Sequence, residues 1–361
     1  MKRKLVLENG KVFVGESFGA TTTKVADLVF NTSVVGYQEI LSDPSNCQQI
    51  VCMAYPVIGN YGLTDEDYES NTITVSGVIC RQYNPYPSNF RYTHELAELM
   101  EENDVPGIQG VDTREITRIV KNEGTMKALI CDEDMDMKEC MELINKYETP
   151  KNIIEMISTK KIWHSRTSSF KYVVACIDCG LKKSLVRMLN TLGCNVVVLP
   201  YDSTLETIMK YKPNGIFISD GPCNPMDVPQ VISLINQVKG KLPLVGVGLG
   251  QELIGLAYGA KLYKQKVGHN GCNLPVRNLK TNKIEITNQN DLYALDEESL
   301  KNTSLTITHK NLLDNVPEGV EDLENGVIAC QFNLSENLDD EEYIFNRFVK
   351  LMNQFGGKKN A

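Results

Sequence analysis

The chain has 361 residues, 42% hydrophobic and 23% charged, with a formal net charge of -9. That length accommodates two ordinary domains, each with its own core. The acidic balance, with no basic patch to offset it, argues against nucleic acid or an anionic membrane as a partner.

The basic start, Lys2-Arg3-Lys4, is broken by Glu8-Asn9-Gly10 before the apolar core of a signal peptide can form. No stretch approaches the roughly 18 apolar residues of a membrane span. A cytoplasmic location is expected. Glu8-Asn9-Gly10-Lys11 reads as a hairpin turn between strands over 5–7 and 12–14. Turns at Gly36, Pro44, Pro56 and Gly59 make the next segment a loop-rich β region. At 112–121, Asp112 or Thr113 caps a helix that turns Ile116, Ile119 and Val120 inward and Arg114, Arg118 and Lys121 outward. From about 140 the pattern loosens. We place a first domain at 1–150, a linker at 151–169 and a second domain at 170–361.

In the second domain the period changes. Strands over 172–177, 195–199, 215–219 and 242–247 alternate with helices over 181–192, 204–211 and 228–239, and a last helix spans 339–353. Such alternation predicts a parallel sheet covered on both faces, with chemistry at the carboxyl ends of its strands. Cys176-Ile177-Asp178-Cys179 has redox spacing, but it ends a strand, where a buried cysteine is a small apolar residue. No second pair follows at zinc-binding spacing, so no metal is expected. Eleven cysteines in no regular pattern suit a reducing compartment.

The segment 242–258 is the centre of the chain. It reads as a buried strand, a corner rich in glycine (Gly246, Gly248, Gly250) and a helix with Leu253, Ile254, Leu256 and Ala257 on its apolar side. A strand that turns abruptly into a helix holds its corner residue at the top of the sheet, facing the positive helix end. Nucleophilic enzymes put a reactive side chain there. Here the corner residue is Gly248.

This corner lies in a chain that also carries Asn31-Thr32-Ser33-Val34-Val35-Gly36-Tyr37-Gln38, Tyr55-Pro56-Val57-Ile58-Gly59-Asn60-Tyr61-Gly62, Ser88-Asn89-Phe90-Arg91 and Asp112-Thr113-Arg114-Glu115. Over nearly its full length it resembles the small chains of carbamoyl phosphate synthase, a branch of the class I triad glutamine amidotransferases. The resemblance implies an α/β protein: an amino-terminal β-rich α+β domain, then a doubly wound parallel-sheet α/β/α domain of the class I glutamine amidotransferase type. It also implies a large synthetase subunit as partner, making carbamoyl phosphate from bicarbonate, ATP and ammonia for arginine or pyrimidine synthesis. ATP and magnesium would belong to that subunit, and this chain would hold no cofactor.

The family's reactive positions are changed. Its nucleophilic cysteine falls on Gly248. Its base and orienting acid fall on Asn333 and Ser335; asparagine takes no proton at neutral pH, and serine cannot hold an imidazolium. Its oxyanion loop keeps Gly221 and Pro222 but has Cys223 at the second glycine. The family's glutamine pocket falls on Ser45, Gly221, Cys223, Leu249, Glu252, Asn290, Leu292 and Tyr293. Leu292 stands at a glycine and Glu252 at a glutamine-contacting side chain, and both changes count against glutamine binding. A substitute pairing of Cys223, Cys272 or Cys330 with His94, His164, His269 or His309 has no supporting spacing. The expectation is a glutaminase-type small subunit unable to hydrolyse glutamine, supporting or regulating a large subunit that uses ammonia. The alternative is a pseudo-glutaminase acting as a metabolite-sensing or scaffold protein.

Overall fold

The computed structural model describes residues 1–222, 224–334 and 343–359. It divides the chain into two units, 1–150 with 266–271, and 151–265 with 272–361.

In the first unit seven strands close a barrel: Lys2–Leu7 (β1), Val12–Gly19 (β2), Lys24–Asn31 (β3), Gln49–Met53 (β4), Gly77–Ile79 (β5), Pro106–Gln109 (β6) and Met126–Asp132 (β7), in the order β1-β2-β6-β5-β4-β3-β7. Alternate residues point inward, so Leu5 and Leu7, Ala26 and Leu28, Ile50 and Cys52, and Ala128 and Ile130 fill one core. The hairpin at 8–11 joins β1 to β2. Helix Thr113–Glu123 (α1) starts at Asp112, whose carboxylate accepts from the amides of Arg114 and Glu115, and buries Ile116, Ile119 and Val120 against that core.

The second unit is built on a ten-stranded sheet. Its strands are Trp163–Ser165 (β8), Tyr172–Asp178 (β9), Cys194–Pro200 (β10), Gly215–Ile218 (β11), Leu244–Val247 (β12), Leu262–Asn278 (β13), Ile284–Leu295 (β14), Thr306–Asn311 (β15), Pro317–Asp322 (β16) and Val327–Cys330 (β17). Their order is β8-β10-β9-β11-β12-β17-β16-β15-β13-β14. The five strands β10, β9, β11, β12 and β17 run parallel. Successive residues of β9 serve opposite faces. Ala175 and Ile177 join a core with Val231 and Ile235 of Pro229–Val238 (α3) and Leu253 and Ile254 of Leu249–Ala257 (α4). Val174 and Cys176 join another with Leu185 and Leu189 of Lys183–Thr191 (α2) and Phe345 and Phe348 of Ile344–Lys359 (α5). This is the doubly wound arrangement, with helices on both faces of a parallel sheet.

Two expectations need correcting. Residues 151–169, read as a linker, belong to the second unit. Ile153–Ile157 is a short helix whose Ile154 enters the core, and β8 adds an antiparallel edge strand to β10. The polar residues around them hid these few apolar anchors. The last helix runs on to Lys359 rather than ending at 353; its expected first turn, up to residue 342, lies outside the described residues.

Candidate functional site

The corner between β12 and α4 has a backbone that only glycine adopts without strain: Gly248 has φ 56° and ψ -118°. Its amide donates to the Cys330 carbonyl at 2.8 Å, which ties the turn to the neighbouring strand β17. Close packing holds the first helical turn down, since a Cβ on Gly250 would lie 2.4 Å from the Ile218 carbonyl oxygen at the end of β11. The elbow geometry of a nucleophilic enzyme is thus intact, while position 248 offers no atom to attack a carbonyl.

What meets at this corner is a carboxylate, an ammonium and a carboxamide. Asp220 follows β11, and its Oδ1 accepts from the amides of Gly221 at 2.8 Å and Leu249 at 3.0 Å. Its Oδ2 lies 3.1 Å from Lys182 Nζ, and both side chains are only 5% exposed. Lys182 Nζ also donates to Asn333 Oδ1 at 2.6 Å. The loop carrying Lys182 is folded by Asp178 at the end of β9, whose carboxylate accepts from the amides of Gly180, Leu181 and Thr159. Burial raises the Asp178 pKa, against those hydrogen bonds. Asn333 is held by its own amide, which donates to the Asn288 carbonyl at 2.8 Å. The carboxyl ends of β9 and β11 thereby supply a buried ion pair where the resemblance implies an oxyanion loop and a base.

Beneath the elbow, Gln331 Nε2 donates to Glu252 Oε1 at 2.8 Å, and Gln251 Nε2 donates to Gln331 Oε1 at 3.1 Å. Burial, reinforced by the nearby charge of Asp291, pushes the Glu252 carboxyl well above the usual carboxylate range. Leu249 turns its side chain into the sheet core, leaving its amide as its contribution to the corner. Gly221 has no room for a side chain, because a Cβ there would lie 2.0 Å from the Cys179 carbonyl oxygen. On β14, Asn290, Leu292 and Tyr293 are half-buried, and the Tyr293 carbonyl accepts from Gln265 at 3.5 Å. Ser45 lies in the first unit, in a short turn where its amide and hydroxyl both donate to Asp43. Cys223 and Ser335 lie outside the described residues.

The remaining cysteines and histidines follow their burial. Cys176, Cys179 and Cys330 are fully buried, and burial raises all three thiols well above their ordinary range, which makes them inert. His309 is pushed down to about 4, first by burial and then by the charge of Arg347. Its ring packs edge-on to Phe332 at 5.4 Å, and its Nδ1 is 2.9 Å from Thr308 Oγ1. Sequence reasoning missed Asp220 and Lys182. Their one signal was position: each follows a parallel strand at its carboxyl end.

Comparison with known proteins gives the family of the chain. The family profile of the carbamoyl-phosphate synthase small chain, CPSase domain, matches residues 5–130, and that of class I glutamine amidotransferases matches residues 175–351. The carbamoyl phosphate synthase small chain of Bacillus caldolyticus is 41% identical over 360 residues, which is 99% of this chain and 98% of that relative. The pyrimidine-specific small chain of Bacillus subtilis (strain 168) is 40% identical over 354 residues, covering 98% of this chain and 96% of that one.

Proposed function

The chain belongs to the family of carbamoyl phosphate synthase small chains, and from that premise we propose that it serves its synthase with a silent glutaminase centre. The observation that carries the proposal is the corner residue. Amide hydrolysis by this route needs a thiolate at the elbow to attack the carbonyl and become acylated. Gly248 supplies none, and Asn333 supplies no base. The Glu252 carboxyl stands where the resemblance implies a glutamine-contacting side chain, and Gln331 holds it beneath the elbow. The partner is a large synthetase subunit that binds ATP and magnesium and draws on free ammonia, with the assembly in the cytoplasm. No helix among the described residues is long and apolar enough to cross a membrane.

An apolar face on the first unit supports a docking role. Val34 and Val35 line one groove with Tyr55 and Tyr61. The loop carrying Tyr86 and Phe90 is tied to the same place by the Ser88 amide, which donates to the Asn60 carbonyl. Phe90 is 96% exposed, Tyr86 81% and Val35 70%. Side chains this apolar, gathered on one face, mark a surface that another protein covers.

The test is glutamate release from glutamine by the purified chain, alone and co-expressed with the large subunit. The expected result is release no faster than in a protein-free control, with ammonia-dependent carbamoyl phosphate formation intact. Glutamine turnover abolished by Cys223→Ala would overturn the silent-centre reading.

A further inference from the structure

We propose that the Asp220 carboxylate is a built-in ligand of the corner, occupying a cradle that would otherwise take the oxygen of an acyl group or a small carboxylate. The cradle consists of the Gly221 and Leu249 amides and the Lys182 ammonium. This inference rests on the reading of the corner as catalytically silent, and says how the site is closed. The two amides converge on Oδ1 at 2.8 and 3.0 Å while Lys182 holds Oδ2 at 3.1 Å, so the anion is gripped from both sides. Leu249 is the first residue of the nine-residue helix α4, whose amide has no partner within the helix and whose positive end favours an anion.

The missing side chain and the carboxylate belong together. A Cβ on Gly248 would lie 2.0 Å from Asp220 Oδ1 and 2.4 Å from its Cγ, so the carboxylate stands in the volume that any side chain at 248 needs. An incoming acyl oxygen would have to displace a carboxylate that is held by two backbone amides and by a buried ion pair with Lys182. Replacing the thiol alone therefore does not reopen the corner: Gly248→Cys collides with Asp220 before any substrate arrives.

Three measurements on the full chain test this. Asp220→Ala vacates the cradle and lowers Tm by about 10 °C, the scale expected for breaking a buried ion pair. Sodium formate at about 0.1 M then restores at least about 3 °C by binding the vacated cradle, whereas formamide does not, both at ionic strength matched with sodium chloride. Gly248→Ala lowers Tm less in the Asp220→Ala background than in the parent, because the two positions share one volume. Should Asp220→Ala not fold, amide exchange in the unmodified chain decides: Gly221 and Leu249 exchange at least about 100-fold more slowly than free amides. No response to formate, an equal response to formamide, additive losses at 220 and 248, or unprotected amides would each overturn the proposal. None of these readouts involves glutamine, so their failure leaves the silent-centre reading standing, and glutamine turnover would overturn that reading separately.

Discussion

Two buried titratable side chains set opposite limits on pH stability. His309 titrates near 6.5 when exposed and at about 4 in the fold. The folded chain therefore binds fewer protons than the unfolded one between those values. Its contribution is complete above about pH 6.5 and is lost as pH falls through about 4, a difference of about 3 kcal/mol. His309→Gln should flatten the acid limb of a Tm-against-pH curve; an unchanged limb would show that His309 stays neutral in neither state. Glu252 acts the other way. Its folded pKa is raised from 4.5, so the folded state holds the extra proton, and stability falls as pH rises from about 4.5 towards the folded value. Glu252→Gln keeps an acceptor for Gln331 and removes that slope, so its melts should exceed the parent's most at alkaline pH. The proposed loss of chemistry at Gly248 and Asn333 needs only the sequence, because a single residue type decides whether a thiolate or a base exists. Asp220 and Lys182 were not legible there. Their meaning lies in an approach between two strand ends that no local pattern records.

At the scale of elements, legibility followed the visibility of burial. Four of the five parallel strands, β9 to β12, read as apolar runs because both of their faces are covered; the fifth, β17, is only four residues long and went unassigned. The antiparallel half, β13 to β16, went unassigned because its long strands are partly exposed and mix polar with apolar residues. The helix α1 was legible from its cap and its inward triplet. Asp112→Ala should cost about 1 kcal/mol, since two first-turn amides lose their acceptor; urea denaturation measures it, and a loss below about 0.3 kcal/mol would mean that water replaces the cap. Gly250→Ala sets two effects in competition. Alanine favours a helix by about 1 kcal/mol over glycine. Here its Cβ would meet the rigid Ile218 carbonyl at 2.4 Å, which forces α4 off the sheet. Overpacking of that kind costs about 1–3 kcal/mol or more, so the clash should win and the variant should melt below the parent. A stabilised Gly250→Ala would show that the elbow yields without strain.

At the scale of the whole molecule, a net charge of -9 steers encounter with a partner of opposite charge more than it holds the complex together. Apolar contact supplies the holding, and on the first unit Val34, Val35, Tyr86 and Phe90 are exposed to make it. A single exposed apolar side chain is ordinary, but an aromatic ring exposed at 96%, on the same loop as Tyr86 exposed at 81%, is suited to anchor in a partner's pocket. Phe90→Asp removes that anchor without disturbing a core. Its effect on the Tm of the isolated chain should stay within about 2 °C, as for other surface changes. Its effect on affinity for the large subunit should be at least about tenfold, or 1.4 kcal/mol. Titration calorimetry of both chains separates the two quantities. If affinity is unchanged while the fold is intact, the large subunit docks elsewhere, and the apolar face must be covered by something other than the synthase.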